Sequence, residues 1–295
     1  MSEGLLNVNG VYIEITNVCN LNCSFCPCGK DPNETRAFMS TELFNRAIIE
    51  SSKIADNVYF HVLGEPTLHP NFEKFLKSVE STNLRVNLTT NGTTIQKVDE
   101  ILLASRTLRQ INFSTHAYQE LGEDDAKRHL HNVLEFCKRS ITKTPDLYIN
   151  LRLWNVGDSC SDDWNHYMLG EINRTFETSL EPGHFCSRHK SFAIRGRIYL
   201  HQDSRFEWPK IGSHPVDVGT CKALDTHVAI LHDGRVVACC LDYQGAITLG
   251  NIQENSIQNI LNSRQANELR NGFATNKLIH PLCKSCNFCR RFKIL

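Results

Sequence analysis

The chain is read as an α/β protein: a partial (β/α)6 TIM-like barrel over residues 1–210, followed by a small α+β domain over 211–295. Three observations predict this. Strand-like and helix-like periods alternate through the first 155 residues. Each strand-like run alternates an apolar with a polar face. The cysteines gather in two groups, one near each end of the chain.

The strand-like runs are Val11–Thr16, Val58–Leu63, Arg85–Thr90, Gln110–His116 and Tyr148–Trp154. Between them lie helical patterns. The first follows Ser40, a suitable N-cap, with Leu43, Phe44, Ala47 and Ile48 on one face. The second carries Phe72, Phe75, Leu76 and Val79, and the third Ile95, Val98, Ile101 and Leu102. A fourth covers about Asp124–Arg139 and a fifth about Asp162–Phe176. Such units give a parallel sheet with right-handed crossovers, closed, half-closed or open.

The strand faces select among these. Val11, Ile13 and Ile15, then Val58, Phe60 and Val62, and their counterparts further on, are apolar. Opposite them stand Glu14, His61, Asn87, Thr89, Asn112, Ser114, His116, Asn150 and Arg152. A sheet covered on both sides would be apolar throughout. The polar face therefore lines a ligand cavity or, on the blander reading, faces solvent.

After Phe176 the pattern weakens: His184–Arg195 is ambiguous and Gly196–Trp208 reads as a strand or hairpin. From about Val216 a second unit holds a hairpin, His227–Leu231 and Arg235–Cys239, turning at His232-Asp233-Gly234. A helix over about Ser256–Arg270 and the cysteine-rich loop Pro281–Arg290 follow. There is no internal repeat.

Formal charge is balanced, 32 basic against 32 acidic residues, and gives no sign of a nucleic-acid or membrane partner. With no leader-like start and no long apolar run, the expectation is a cytoplasmic protein. Thirteen cysteines then argue for metal over a secreted disulfide scaffold, because the count is odd and the residues cluster.

The front group is CNLNCSFC, with Cys19, Cys23 and Cys26 spaced Cys-x3-Cys-x2-Cys in a strand-to-helix loop. Three thiolates leave one iron of a four-iron cube open to a reactant. A zinc site would draw its fourth ligand from Cys28, just past Pro27. At the back, Cys221 and Cys239 precede the run Cys283-x2-Cys286-x2-Cys289. Cys240 and Asp242 flank Cys239 and are candidate catalytic groups; a buried hairpin thiol is the alternative for Cys240. His116 and His61 either touch substrate or are hydrogen-bonded core histidines.

CNLNCSFC, HVLGEP (61–66) and NLTTNG (87–92) fall in the order found in the radical S-adenosylmethionine (SAM) superfamily, and the chain resembles that superfamily throughout. It departs at Leu63, where a first glycine is usual. The resemblance implies a [4Fe–4S] cluster on Cys19, Cys23 and Cys26, with SAM on the open iron. It implies Gly64 and Glu65 at the SAM amino group, Thr89, Asn91 and Ser114 at ribose and methionine, Arg152 at the carboxylate, and Phe25 near adenine. The implied chemistry is a 5′-deoxyadenosyl radical that abstracts a hydrogen atom. An electron donor such as flavodoxin or ferredoxin is the implied partner.

The back group, with LGNI (249–252) before a helix, resembles the SPASM/Twitch extension of such enzymes. The shortened final cysteine run implies one auxiliary [4Fe–4S] cluster on Cys221, Cys239, Cys283 and Cys286, with Cys289 as a substitute ligand. A zinc ribbon is the alternative. The expected function is net oxidation of a small molecule or a peptide. A non-catalytic iron–sulfur or zinc protein that binds a ligand is the contrasting class.

Overall fold

The protein is seen in a computed structural model that describes residues 6–32, 34–158, 161–181, 190–205 and 207–292. Strand and helix alternate as the periodicity requires. The order is β1 (Gly10–Ile13), α1 (Thr41–Ser51), β2 (Asn57–Phe60), α2 (Phe72–Val79), β3 (Arg85–Thr90) and α3 (Ile95–Ala104). Then come β4 (Leu108–Phe113), α4 (Glu123–Lys143), β5 (Tyr148–Leu153) and α5 (Asp162–Phe176). The remainder is β6 (Ser191–Arg195), β7 (Ile198–Gln202), β8 (His227–Ile230), β9 (Arg235–Val237) and β10 (Thr248–Asn251), then α6 (Ile257–Leu261), α7 (Arg264–Ala274) and α8 (Pro281–Lys284).

Two compact units divide the chain. One joins residues 1–86 with 206–295 and the other spans 87–205, so the division falls inside β3. In the first unit β1 pairs in parallel with β2 and with β8. β8, β9 and β10 form an antiparallel meander. Thus the hairpin read from the sequence is joined to the first strand of the chain. In the second unit β4, β5 and β7 are parallel neighbours, and β6 runs antiparallel on β7.

Three elements depart from expectation for local reasons. β1 stops at Ile13 because the backbone beyond it pairs with residues 37–39 instead: Met39 N–H donates to Ile15 O at 2.9 Å, and Thr16 bridges Phe38. β4 stops at Phe113, and Thr115–Glu120 wind into a 3₁₀ turn. The helix expected over Ser256–Arg270 is two helices. Ser263 caps the second by accepting Ala266 N–H at 3.3 Å, a side-chain bond that competes with helix continuation. The hairpin near Gly196 is β6–β7; of the ambiguous segment before it, residues 184–189 lie outside the described residues.

Side chains confirm the apolar faces. Val11, Ile13, Val58, Phe60, Ile111, Phe113, Ile149 and Leu151 are fully buried. Phe44 of α1 stacks on Phe75 of α2 at 3.8 Å and meets Phe60 edge-on, which locks both helices to β2. The polar faces are less wet than expected. Asn87 and Asn112 are buried, and a side-chain ladder joins β3 to β5: Arg109 donates to Asn87, Asn112 to Leu88 O, and Asn150 to Asn112 at 2.9 Å. On β1 and β2 that face is aromatic, with Tyr12 stacked on Tyr59 and edge-on to His61.

LGNI has a packing explanation. A Cβ on Gly250 would lie 3.0 Å from Ile260, so glycine lets α6 approach β10. Asn251 donates to Asp233 O at 3.2 Å and thereby fastens the β8–β9 turn.

Candidate metal centres

The front cysteines lie in a loop tied down by its neighbours. Asn17 accepts from Ala37 N–H at 2.8 Å and donates to Thr35 O at 2.9 Å. Glu34 accepts Gly29 N–H, and the exposed Lys30 ammonium reaches Cys23 O at 2.9 Å. Cys19, Cys23 and Cys26 are all half-buried. Leu21 N–H points at the Cys19 sulfur, 3.5 Å away, the kind of bond that tunes a cluster thiolate. Cys28 is buried, donates to Asn17 O at 3.3 Å, and is hydrogen-bonded to Cys19. That bond, followed by burial, pushes the Cys19 thiol well up; burial pushes Cys26 up.

The residues after β2 dock on this loop. Glu65 N–H donates to Val18 O at 2.8 Å. Gly64 sits at φ +74°, and a Cβ there would lie 2.3 Å from Thr16 O, so only glycine fits. The Glu65 carboxylate is buried and accepts both Thr67 N–H and its hydroxyl, at 3.1 and 2.6 Å. Phe25 is half-buried between Cys23 and Cys26.

In the second unit, the residues expected at ribose, methionine and carboxylate sit at the ends of β3, β4 and β5. Thr89 accepts from Asn112 at 3.3 Å. Asn91 Oδ1 accepts Thr93 N–H and hydroxyl, at 2.9 and 2.7 Å. Ser114 is half-buried and donates its N–H to Thr90 O. The Arg152 guanidinium lies 4.4 Å over the Trp154 ring, a cation–π contact that orients its fork.

His116 holds Arg152 from behind. Its Nδ1 bonds Arg152 O at 3.1 Å, beside Thr115, whose hydroxyl donates to the same oxygen at 2.8 Å. Burial, then the charges of Arg152 and Arg205, bring its pKa down from 6.5 to about 4. The ring is therefore neutral at pH 7, and its Nδ1–H is the donor to the carbonyl. Its lowered pKa makes a prediction. Above 6.5 both folded and unfolded states hold the neutral ring, and as pH falls towards about 4 the unfolded state takes up a proton first. The folded state then loses about 3 kcal/mol on this account. In urea unfolding, His116→Gln removes that share, so its midpoint gains on the wild type's as pH falls.

The back cysteines lie within one another's electrostatic reach. Burial, then the fields of Cys221, Cys286, Asp242 and Cys289, pushes the Cys283 thiol far up. Burial pushes Cys221 up to about 11 and raises Cys239 well above its ordinary value, the latter also in the fields of Cys240, Cys221 and Cys283. Cys286 is raised by burial too. Ala223 N–H reaches the Cys221 sulfur at 3.4 Å, repeating the Leu21–Cys19 pattern at the front. Cys286 N–H donates to Cys283 O at 3.2 Å, and the buried Cys289 thiol donates to Cys286 O at 2.8 Å.

Among the described residues, no three His, Cys, Asp or Glu side chains converge as closely as one bound ion needs. The fit to a cluster rests on donor chemistry. These half-buried thiols, where burial raises them, hold their protons at neutral pH, and it takes the positive charge of iron to draw them off.

Cys240 and Asp242 have local employment. Cys240, pushed by burial up to about 12, is hydrogen-bonded to Tyr12. With Tyr12 and Tyr243 it packs on Val62, Ala229, Leu231 and Val237, the setting of a hairpin thiol. Asp242 is buried and accepts Ala246 and Ile247 N–H at 2.8 and 2.7 Å, one on each oxygen, which shapes the turn into β10. Burial raises its pKa against those two bonds. Cys137 is buried in α4; Cys160 and Cys186 lie outside the described residues.

Residues 13–150 match the Radical SAM superfamily, and residues 221–289 match SPASM, an iron–sulfur cluster-binding domain. The chain thus carries a radical SAM domain and a SPASM domain. These domains bring SAM, a [4Fe–4S] cluster and auxiliary iron–sulfur binding.

The chain is similar to the tungsten-containing aldehyde ferredoxin oxidoreductase cofactor-modifying protein of Pyrococcus furiosus. The two are 32% identical over 94 residues, covering 31% of this chain and only 26% of the relative, so the match spans about a quarter of that protein. Among solved structures it is similar to BtrN in complex with AdoMet and 2-DOIA, with TM-score 0.56 and 15% identity over 95% of this chain and 93% of that one. It is also similar to Streptococcus suis SuiB bound to precursor peptide SuiA, with TM-score 0.59 and 14% identity over 91% of this chain and 68% of that one. At these identities the structures show the fold, a TIM-like partial barrel with a parallel-dominated sheet. Among the described residues, no helix is long and apolar enough to cross a membrane.

Proposed function

We propose that this protein is a radical SAM enzyme whose substrate is oxidised through one auxiliary [4Fe–4S] cluster. The observation that carries the reading is the unequal completeness of the two cysteine groups. Cys19, Cys23 and Cys26 stand in the front loop near Gly64 and Glu65, and the fourth thiol there, Cys28, is buried and donates to Asn17 O at 3.3 Å, whereas at the back Cys221, Cys239, Cys283 and Cys286 are all at hand. An incomplete set suits a site for a reactant, and a complete set suits an electron carrier.

When bound and reduced, the front cluster with SAM supplies a 5′-deoxyadenosyl radical for hydrogen-atom abstraction. The chain's own residues bind, orient and exclude water. Cys19, Cys23 and Cys26 hold the front cluster. Gly64 and Glu65 meet the SAM amino group, Thr89, Asn91 and Ser114 the ribose and methionine, and Arg152 the carboxylate through its fork. Phe25 packs at the adenine. His116, neutral and bonded to the Arg152 carbonyl, positions that arginine and moves no proton at pH 7. Cys221, Cys239, Cys283 and Cys286 hold the auxiliary cluster, with Cys289 as substitute. Asp242 supports the Cys239 turn, and Cys240 lines the Tyr12 face beside it.

The substrate class is a small molecule or a peptide; the matched structures carry one of each kind of ligand by name, 2-DOIA and SuiA. The electron donor fits the ferredoxin or flavodoxin class.

Iron and turnover in Cys239→Ser test the assignment. The variant is expected to lose about four of about eight irons per chain and still cleave SAM. Full iron content in Cys239→Ser would remove that residue from the ligand set, and zinc in the back group would replace the redox reading with a structural one.

A further inference from the structure

One buried carboxylate in the first unit has no part in any motif. Glu14, just past β1, is 1% exposed. Its Oε1 accepts Leu63 N–H at 3.1 Å, one residue before Gly64. Its Oε2 bonds His232 Nδ1 at 2.7 Å and accepts His232 N–H at 3.3 Å. Its own N–H donates to Ile230 O at 2.9 Å. His232 belongs to the β8–β9 turn, and β9 leads directly to Cys239.

Such an arrangement has a physical requirement. A buried carboxylate persists only when its oxygens are bonded, best by a charged donor. Here Leu63 satisfies one oxygen and His232 the other. Losing the imidazole leaves Oε2 with a single long backbone donor, so the carboxylate shifts and takes Leu63 with it. The next two residues have little slack to absorb such a shift. Gly64 is wedged against Thr16 O, and Glu65 N–H is bonded to Val18 O.

Resting on the reading of Gly64 and Glu65 as the SAM amino-group site, we propose that Glu14 and His232 are positioning residues that set SAM affinity by fixing the Leu63–Glu65 backbone. They tie that loop to the hairpin of the auxiliary domain.

The pair is sensitive to pH. The groups facing His232 are Glu14 from the end of β1, and Asp233 and Arg235 from its own hairpin, the last two paired at 2.7 Å. Burial opposes protonation of His232, but the Glu14 bond and charge, aided by Asp233, outweigh it and Arg235, and its pKa is raised. A raised histidine pKa means the ion pair is complete below the ordinary value of 6.5 and is lost as pH rises through the raised one. The pair's contribution to SAM affinity therefore weakens on that rise.

The test uses the full chain, reconstituted without oxygen, with SAM binding measured by equilibrium dialysis between about pH 6 and 9. At pH 6.5, His232→Gln is expected to bind SAM about tenfold more weakly than wild type, and the gap closes as pH rises. SAM's own amine titrates equally in both proteins, so the changing gap reports His232. Glu14→Gln repeats the test from the other partner should His232→Gln fail to fold. A purely structural role would lower the urea midpoint and iron content and leave the two pH profiles parallel, which overturns the inference. Wild type that binds no SAM at any pH defeats the underlying reading of the site. Wild type that binds SAM while both variants match it defeats the positioning inference alone.

Discussion

Cys26→Ala is expected to lower 5′-deoxyadenosine formation at least about a thousandfold, equivalent to about 4 kcal/mol of barrier. The reason is electronic. With two thiolates left in the front loop, neither a cube with one open iron nor its electron is available to SAM. Iron is expected to fall by about four per chain, the back group keeping its own. Far-ultraviolet circular dichroism is expected to stay at the wild-type level, because Cys26 is half-buried in a loop outside the regular elements, and the turn bond from its N–H to Cys23 O does not involve the side chain removed. Retained SAM cleavage in this variant would remove the front loop from the chemistry.

Gly64→Ala has the second largest expected effect, and its cause is steric. The new methyl would lie 2.3 Å from Thr16 O and 2.9 Å from Asn17 Cα, both backbone atoms that cannot swing aside. The φ of +74° adds strain of its own. Together these are expected to cost about 3 kcal/mol or more in urea unfolding. SAM affinity should fall more than about tenfold, since the loop cannot keep both its docking on residues 16–18 and its conformation. Gly157→Ala is the control. It also has positive φ, +90°, but its Cβ meets nothing within 4 Å. It should show strain alone, about 1 kcal/mol, with SAM binding intact. Equal effects at the two glycines would mean that the close approach at Gly64 is unimportant.

Much of this architecture was legible in the residues, and what was not has identifiable causes. β3 and α5 fall where periodicity places them, and Ser40 caps α1 by accepting Leu43 N–H at 3.2 Å. Local sequence decides those elements. Glu14 to Thr16 read as strand because Ile13 and Ile15 keep the buried alternation. The backbone partners of Ile15 and Thr16, however, lie in residues 37–39, which side-chain periodicity does not report. The pairing of β8 with β1 joins residues more than two hundred positions apart, a relation outside any local window.

The candidate site divides in the same way. The cysteine groups and Gly64 announce themselves by spacing and by motif. The Glu14–His232 pair, separated by 218 residues, does not. Glu14 and Asn112 were readable only as polar residues on a strand face. In the folded chain both are buried and bonded, Glu14 to two backbone N–H groups and Asn112 to its strand neighbours. Asp242, three residues past Cys239 and carboxylate-bearing, reads from the sequence as a candidate base. Its two bonds to Ala246 and Ile247 show a turn being held.

The most direct test combines two quantities on one wild-type sample, purified and reconstituted without oxygen: iron per chain, and 5′-deoxyadenosine formed after reduction in the presence of SAM. The account predicts about eight irons and SAM cleavage that depends on Cys19, Cys23 and Cys26. An intact front cluster that binds SAM and yields no 5′-deoxyadenosine under reduction would contradict it.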